Sequence, residues 1–213
     1  MSTDQFGLAE GDYVPDPDRD TTLLLDAFYA ALPGDLTGAM RVRQAELEAA
    51  NQAMVVDEAA RHNLRMTLAL VAAYETLLPR LGADAAVAAV RAAFIEPLGD
   101  TMKEGTRAML DHAPDAFRAM VEMSKSREEH AFGAAFVFDR AVDDEQRYHL
   151  DVHRCFYNDV MVANGTPELM PVMCAFDANW IEGIDPDRHG FRFERTTTIG
   201  TGGTHCPFHF SRA

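Results

Sequence analysis

Hydrophobic positions in the first half of the chain recur at three- and four-residue steps, the period of a helix with one buried face. Leu24, Ala27, Phe28 and Ala31 share such a face. Asp20 or Thr21 stands where an N-cap is needed, and Pro33-Gly34 ends the segment. From Leu36 to Leu78 the positions Met54, Ala60, Leu64, Leu68 and Val71 keep the same step, which predicts one long helix or two joined near Asn51. Asp84 to Phe94 is Ala-rich and apolar on most sides, the pattern of a buried helix, which Pro97 and Gly99 should break. Pro114 opens a further segment through Phe117, Met120 and Val121.

The period changes near His130. Phe132 to Phe138 is an apolar run of β-forming residues, and Val142-Asp143-Asp144-Glu145 reads as a turn. Tyr148, Leu150 and Val152 then alternate with His149, Asp151 and His153, a strand with one apolar face. A short helix follows Cys155 and stops at Asn164-Gly165. The next has Thr166 as N-cap and Pro167 at its first position, and runs to Gly183. Phe191 to Ile199 alternates again, Gly200, Gly202 and Gly203 mark a turn, and Cys206 to Phe210 forms the last strand.

This succession predicts an α+β fold: an N-terminal helical region, then an antiparallel sheet in the order strand-strand-helix-helix-strand-strand, with helices on one face. Residues 1–20, rich in Asp with Pro15 and Pro17, read as a flexible acidic segment. Residues 21–125 form the helical region and residues 126–213 the α+β region, the two making one structural unit.

Charge narrows the partners. A formal net charge of -15 opposes approach to nucleic acid or to an anionic membrane surface. It leaves room for a small-molecule substrate, even an anionic one, if local arginines reverse the potential within a pocket. No stretch approaches the roughly 18 uninterrupted apolar residues of a membrane helix. Met1 to Asp20 lacks the apolar core of a secretory signal, and an odd count of three cysteines suits a reducing, cytoplasmic setting. The Ala-rich helices offer faces on which a homo-oligomer could form.

All three cysteines fall in the last 60 or so residues. Cys155 lies at a strand-to-helix junction, Cys206 opens the last strand, and Cys174 shares a helix face with Asp177 three positions on. The sheet could bring Cys155 and Cys206 together, and the packed helix could lower Cys174 and Asp177 onto them. Thiols with a carboxylate and imidazoles fit a nucleophile with acid–base partners. They also fit a zinc site, although the ligands come from distant elements, and equally three inert core thiols. His153 and His205 could line this site, as could His149 and His209. His62 and the methionines Met54, Met66, Met120 and Met173 read as core.

The ordered set Cys155-Phe-Tyr-Asn, Asn164-Gly-Thr-Pro-Glu-Leu169, Cys174-Ala-Phe-Asp177, Arg195-Thr-Thr-Thr-Ile-Gly200 and Gly203-Thr-His-Cys-Pro-Phe208 resembles the L-2-amino-thiazoline-4-carboxylic acid hydrolase family. The resemblance covers about residues 130–213, and Pro207 stands where the family pattern carries Asp. It implies hydrolysis at the carbon–nitrogen bonds of a small cyclic amidine or amide, opening a 2-amino-thiazoline ring to a carbamoyl-cysteine. The functional set it implies is Cys155, Cys174, Asp177 and Cys206, with no required cofactor. On this reading a thiolate of Cys174 or Cys206 adds to the amidine carbon. Asp177, its pKa raised beside Phe176 and Trp180, moves protons, and Arg195 holds a substrate carboxylate. The alternatives are zinc-assisted hydrolysis by the same cluster and a non-catalytic small-molecule sensor.

Overall fold

The computed structural model describes residues 16–213. Helix α1 (Pro17–Ala30) starts earlier than expected, because the Asp16 side chain accepts from the Arg19 N–H and Pro17 occupies the first turn. Residues 17–20 are therefore helical, and the rest of the expected flexible segment, residues 1–15, lies outside the described residues. Helices α2 (Thr37–Ala50) and α3 (Glu58–Leu81) are separate, the break falling at Asn51.

Helix α4 (Ala83–His112) runs unbroken through Pro97 and Gly99, contrary to the expected break. Tertiary support overrides the local penalty. The Asn179 side chain donates to the Ile95 carbonyl at 3.2 Å, and a β-carbon on Gly99 would sit 3.2 Å from the Asn179 oxygen. The proline costs a backbone bond, and the glycine lets a neighbouring segment close on the weakened turn.

Helix α5 (Ala116–Arg127) is capped by Asp115 and passes into one π-helical turn, Glu128–Phe132, then a 3-10 turn, Gly133–Ala135. The apolar run Phe132 to Phe138 is thus mostly winding, and strand β1 (Val137–Asp143) starts late. Its phenylalanines stack on one another instead: the Phe136 and Phe138 rings are 5.9 Å apart. Strand β2 (Arg147–Arg154) follows. Between it and β3 (Phe191–Glu194) lie four short helices where two were expected: α6 (Phe156–Ala163), α7 (Met170–Phe176), α8 (Ala178–Ile181) and α9 (Pro186–His189). Thr166 makes no side-chain cap, and Pro167–Leu169 is a 3-10 turn leading into α7. Strand pairing in β3 ends at Glu194, so residues 195–198 run free of the sheet. A 3-10 turn, Ile199–Thr201, then precedes β4 (Cys206–Arg212).

The four strands form an antiparallel sheet in the order β1-β2-β4-β3, and the fold is α+β. Tyr148, Leu150 and Val152 face the helices and oppose Phe210, Phe208 and Cys206 across the β2–β4 ladder. Alternation of this kind hides one face and leaves the other to solvent. Each large side chain buried here stabilises by roughly 1.5–3 kcal/mol. The core is continuous from α3 through α6 and α7 to Val152 and Cys206.

Asp57 ties the two halves together. One carboxylate oxygen caps α3 through the Ala60 N–H at 2.7 Å, and the other accepts from the Ala134 N–H at 2.6 Å. Gly133, at φ 67°, permits this approach, since a β-carbon there would lie 2.4 Å from the same carboxylate. Asp57→Ala is expected to cost about 1–2 kcal/mol in urea unfolding, the loss of a helix cap plus a loop anchor; an unchanged midpoint would show that neither bond matters.

Candidate active site

Between the inner face of the sheet and helices α5, α7 and α8 lies a cavity of about 240 Å³. The sheet contributes Leu150, Val152, Phe208 and Phe210, and α5 with its π turn contributes Met120, Met123, Arg127 and Ala131. Cys155, Cys174 and Cys206 all reach this one cavity, as do Asp177 and Arg195. All three cysteines are free thiols with buried side chains.

Each thiol is placed by a different local device. Cys155 sits at the N-cap of α6, where the chain turns off the end of β2. Cys174 rides on α7, and Gly200 lets the 199–201 turn press against it: a β-carbon on Gly200 would lie 2.8 Å from the Cys174 sulfur. The glycines at 200–203 are therefore more than a turn signal, since Gly200 serves close approach. That same turn aims the Ile199 N–H at the Cys206 sulfur, 3.1 Å away.

Asp177 accepts from Arg195 Nη1 at 2.6 Å and from the Trp180 indole N–H at 3.2 Å. Arg195 Nη2 donates to the Cys174 carbonyl at 2.9 Å. Arg195, expected to take a substrate carboxylate, thus spends both terminal nitrogens on the protein. Burial pushes the Asp177 carboxyl above its ordinary value, against the pull of Arg195 and the Trp180 N–H. Burial also pushes the Cys155 thiol up to about 12. Cys206 is raised for the same reason, offset in part by the Ile199 N–H and by the charge of Arg195.

His153 and His205 do not join the cavity. They project from the outer face of the sheet, where their rings stack at 5.7 Å, beside His149 and His209, whose rings are 4.2 Å apart. Asp151 on the same face accepts from His209 at 2.9 Å. Continuing the β2 alternation would put Cys155 on the face of His149, Asp151 and His153, but β2 ends at Arg154 and the turn into α6 swings Cys155 inward. The histidines thus remain on the side opposite the thiols.

Among the described residues, the set of three or more His, Cys, Asp or Glu donors drawn within 4.8 Å of one another is Asp18, Glu58 and His62, away from the cavity. Arg61 already engages it, bonding Asp18 at 3.0 Å and Glu58 at 3.1 Å. The thiols and Asp177 are distributed around the cavity wall and are not such a set.

Sequence reasoning missed Arg127, Glu128 and Tyr157 as cavity residues. The signal for Arg127 was present: it lies seven positions after buried Met120, with Met123 and Ser124 between, on one helical face. Met66, Met120 and Met173, read as core, also line the cavity.

The arrangement defines an α+β protein with an internal, largely apolar cavity carrying thiols and a carboxylate–guanidinium pair. The profile of the L-2-amino-thiazoline-4-carboxylic acid hydrolase family matches residues 62–210, well over half of the chain, and the chain belongs to that family. Comparison with curated proteins and with solved structures gives no match.

Two outcomes test this geometry. Arg195→Ala removes the charged partner of Asp177 and leaves it the Trp180 N–H, and urea unfolding should lose about 2–3 kcal/mol, with the added Asp177→Asn change recovering part of it. Strict additivity of the two changes would deny the pairing. Iodoacetamide labelling of Cys155, followed by mass spectrometry, should rise about tenfold per pH unit from pH 7 to 9 without a plateau, because its thiol titrates near 12.

Proposed function

We propose that this chain is a hydrolase that opens a 2-amino-thiazoline carboxylate ring, with Cys206 as nucleophile and Asp177 as proton carrier. The supporting observation is the convergence of three thiols, Asp177 and Arg195 on one cavity in a chain whose family is named for that hydrolysis. The charges of both Asp177 and Arg195 reach Cys206, and the Ile199 N–H supports its thiolate. Asp177, raised by burial, is a better base than an exposed carboxylate, and Arg195 fixes its position.

Which ring bond breaks depends on which carbamoyl-cysteine forms. N-carbamoyl-cysteine keeps both amidine nitrogens on its carbon and requires cleavage of carbon–sulfur, whereas S-carbamoyl-cysteine keeps the sulfur and requires cleavage of the carbon–nitrogen bond anticipated above. The route to the N-carbamoyl product runs through Cys206. The Cys206 thiol gives its proton to Asp177 and its sulfur bonds the amidine carbon. The ring carbon–sulfur bond then breaks, and the departing sulfur takes the proton from Asp177. The adduct is an isothiourea. Water adds across its C=N bond, its proton reaching nitrogen by way of Asp177. Collapse forms the carbonyl, breaks the bond to Cys206 and returns the hydroxyl proton to that sulfur. One water is consumed and the cysteine is restored.

Nothing in this chemistry calls for a compartment other than the cytoplasm. No helix among the described residues is long and apolar enough to cross a membrane.

Incubation of the purified protein with L-2-amino-thiazoline-4-carboxylate should yield carbamoyl-cysteine by liquid chromatography–mass spectrometry. Cys206→Ser should lower the rate by about 10³-fold or more, as expected for loss of a nucleophile. Full activity in that variant removes Cys206 from the role. Binding without any product in the unmodified protein would turn the reading toward a ligand sensor.

A further inference from the structure

Each charge on the cavity wall except one has a protein partner. Asp177 has Arg195 at 2.6 Å. Glu128 accepts from Arg140 Nε at 3.0 Å and from the Tyr148 hydroxyl. Arg127 lines the same cavity, yet no carboxylate among the described residues lies within ion-pair distance and no acceptor is hydrogen-bonded to its guanidinium. Its contact is the Trp180 ring, 5.8 Å from the guanidinium carbon to the ring centroid.

Such a group is costly. An unpaired cation out of bulk water carries a desolvation penalty that an aromatic face offsets only in part. Burial pulls Arg127 below its ordinary pKa, with the charge of Asp177 acting in the opposite sense. The protein as a whole has a net charge of -15, with 34 acidic residues available. A carboxylate could easily have been placed beside Arg127, and none is.

The backbone around it is also built. Arg127 is the last residue of α5, at the entry to the π-helical turn. Asn63 on α3 donates to the Ala131 carbonyl in that turn at 2.8 Å and accepts from the Tyr157 hydroxyl at 3.0 Å. Glu128, the next residue, is locked on the far side by Tyr148 and Arg140. These contacts hold the turn that points Arg127 into the cavity.

We infer that Arg127 is the anion receptor of this cavity, taking the carboxylate of a small ligand whose body rests against the phenylalanine and methionine wall. This names the residue that selects for a carboxylate at this cavity. It reassigns the role expected of Arg195, whose two terminal nitrogens are occupied. It rests on the proposed function only for the identity of the ring; the anion site stands on the unpaired guanidinium.

The test uses the full chain and L-thiazolidine-4-carboxylate, which keeps ring and carboxylate but has no amidine carbon to attack. Its carboxamide is the uncharged control. Calorimetric titration should show the carboxylate binding at least tenfold tighter than the carboxamide. Arg127→Met should abolish that preference, and Arg127→Lys should restore part of it. In the absence of ligand, Arg127→Met should unfold at the same or higher urea concentration than the parent, because it removes an unpaired charge; an arginine with a merely structural role would shift the midpoint down. Equal affinity for the two probes, no binding of either, or a carboxylate preference that survives in Arg127→Met would each overturn the assignment. Carboxylate binding through Arg127 without carbamoyl-cysteine formation from the amino-thiazoline would instead keep the receptor and sink the hydrolase reading.

Discussion

The bridge made by Arg195 is the constraint on which the site depends. One guanidinium joins the Asp177 carboxylate to the Cys174 carbonyl. It arrives from the unpaired stretch just after β3, so it ties the end of α7 to the chain that leads into the 199–201 turn. That turn in turn presents the Ile199 N–H to Cys206 and packs Gly200 against Cys174. A single cation therefore fixes the relative positions of two thiols and a carboxylate that lie up to about thirty residues apart in sequence. Arginine suits this task where lysine would not, because its planar fork serves two acceptors at once.

The same commitment explains why the cavity needs a second arginine. A guanidinium already holding a carboxylate and a carbonyl has little left to offer a ligand. Both guanidiniums rest on an aromatic ring, Arg195 on Phe208 and Arg127 on Trp180, and Arg127 differs in having no carboxylate or carbonyl partner. The two cations divide the work of organising the wall and receiving an anion. Both are needed because a protein with this excess of acidic residues would otherwise repel anions from its interior.

Much of this was legible in the chain where local periodicity decides structure. The helical face of Leu64, Leu68 and Val71 and the alternation at Tyr148, Leu150 and Val152 correspond to buried faces of α3 and β2. The errors came where distant contacts outweigh local preference. Pro97 stays inside α4 because Asn179, more than eighty residues away, supports the turn. The phase of β2 could not be carried to Cys155, because the strand ends one residue before it and the helix redirects the side chain. His153 was placed in the site by that same extrapolation, and His205, beside Cys206 in sequence, stacks with it on the outer face. Arg127 escaped notice because an arginine beside two glutamates reads as a solvated helix end, although its step from Met120 put it on the buried face.

Burial of the thiols has a chemical consequence for the proposed reaction. With Cys155 pushed up to about 12 and Cys206 also raised, these two sulfurs rest neutral, poorly nucleophilic and protected from oxidation. Something entering with the substrate must favour the thiolate. An amidine can supply it, since its electrophilic carbon takes up the sulfur's electron pair as the proton passes to Asp177, and no free thiolate has to persist. A carboxylate held at Arg127 would keep the substrate's own negative charge paired and away from the developing thiolate. The unpaired arginine and the neutral Cys206 thiol are then two aspects of one design: Arg127 lacks a protein partner for its charge, Cys206 is not yet ionised, and a single anionic amidine completes both.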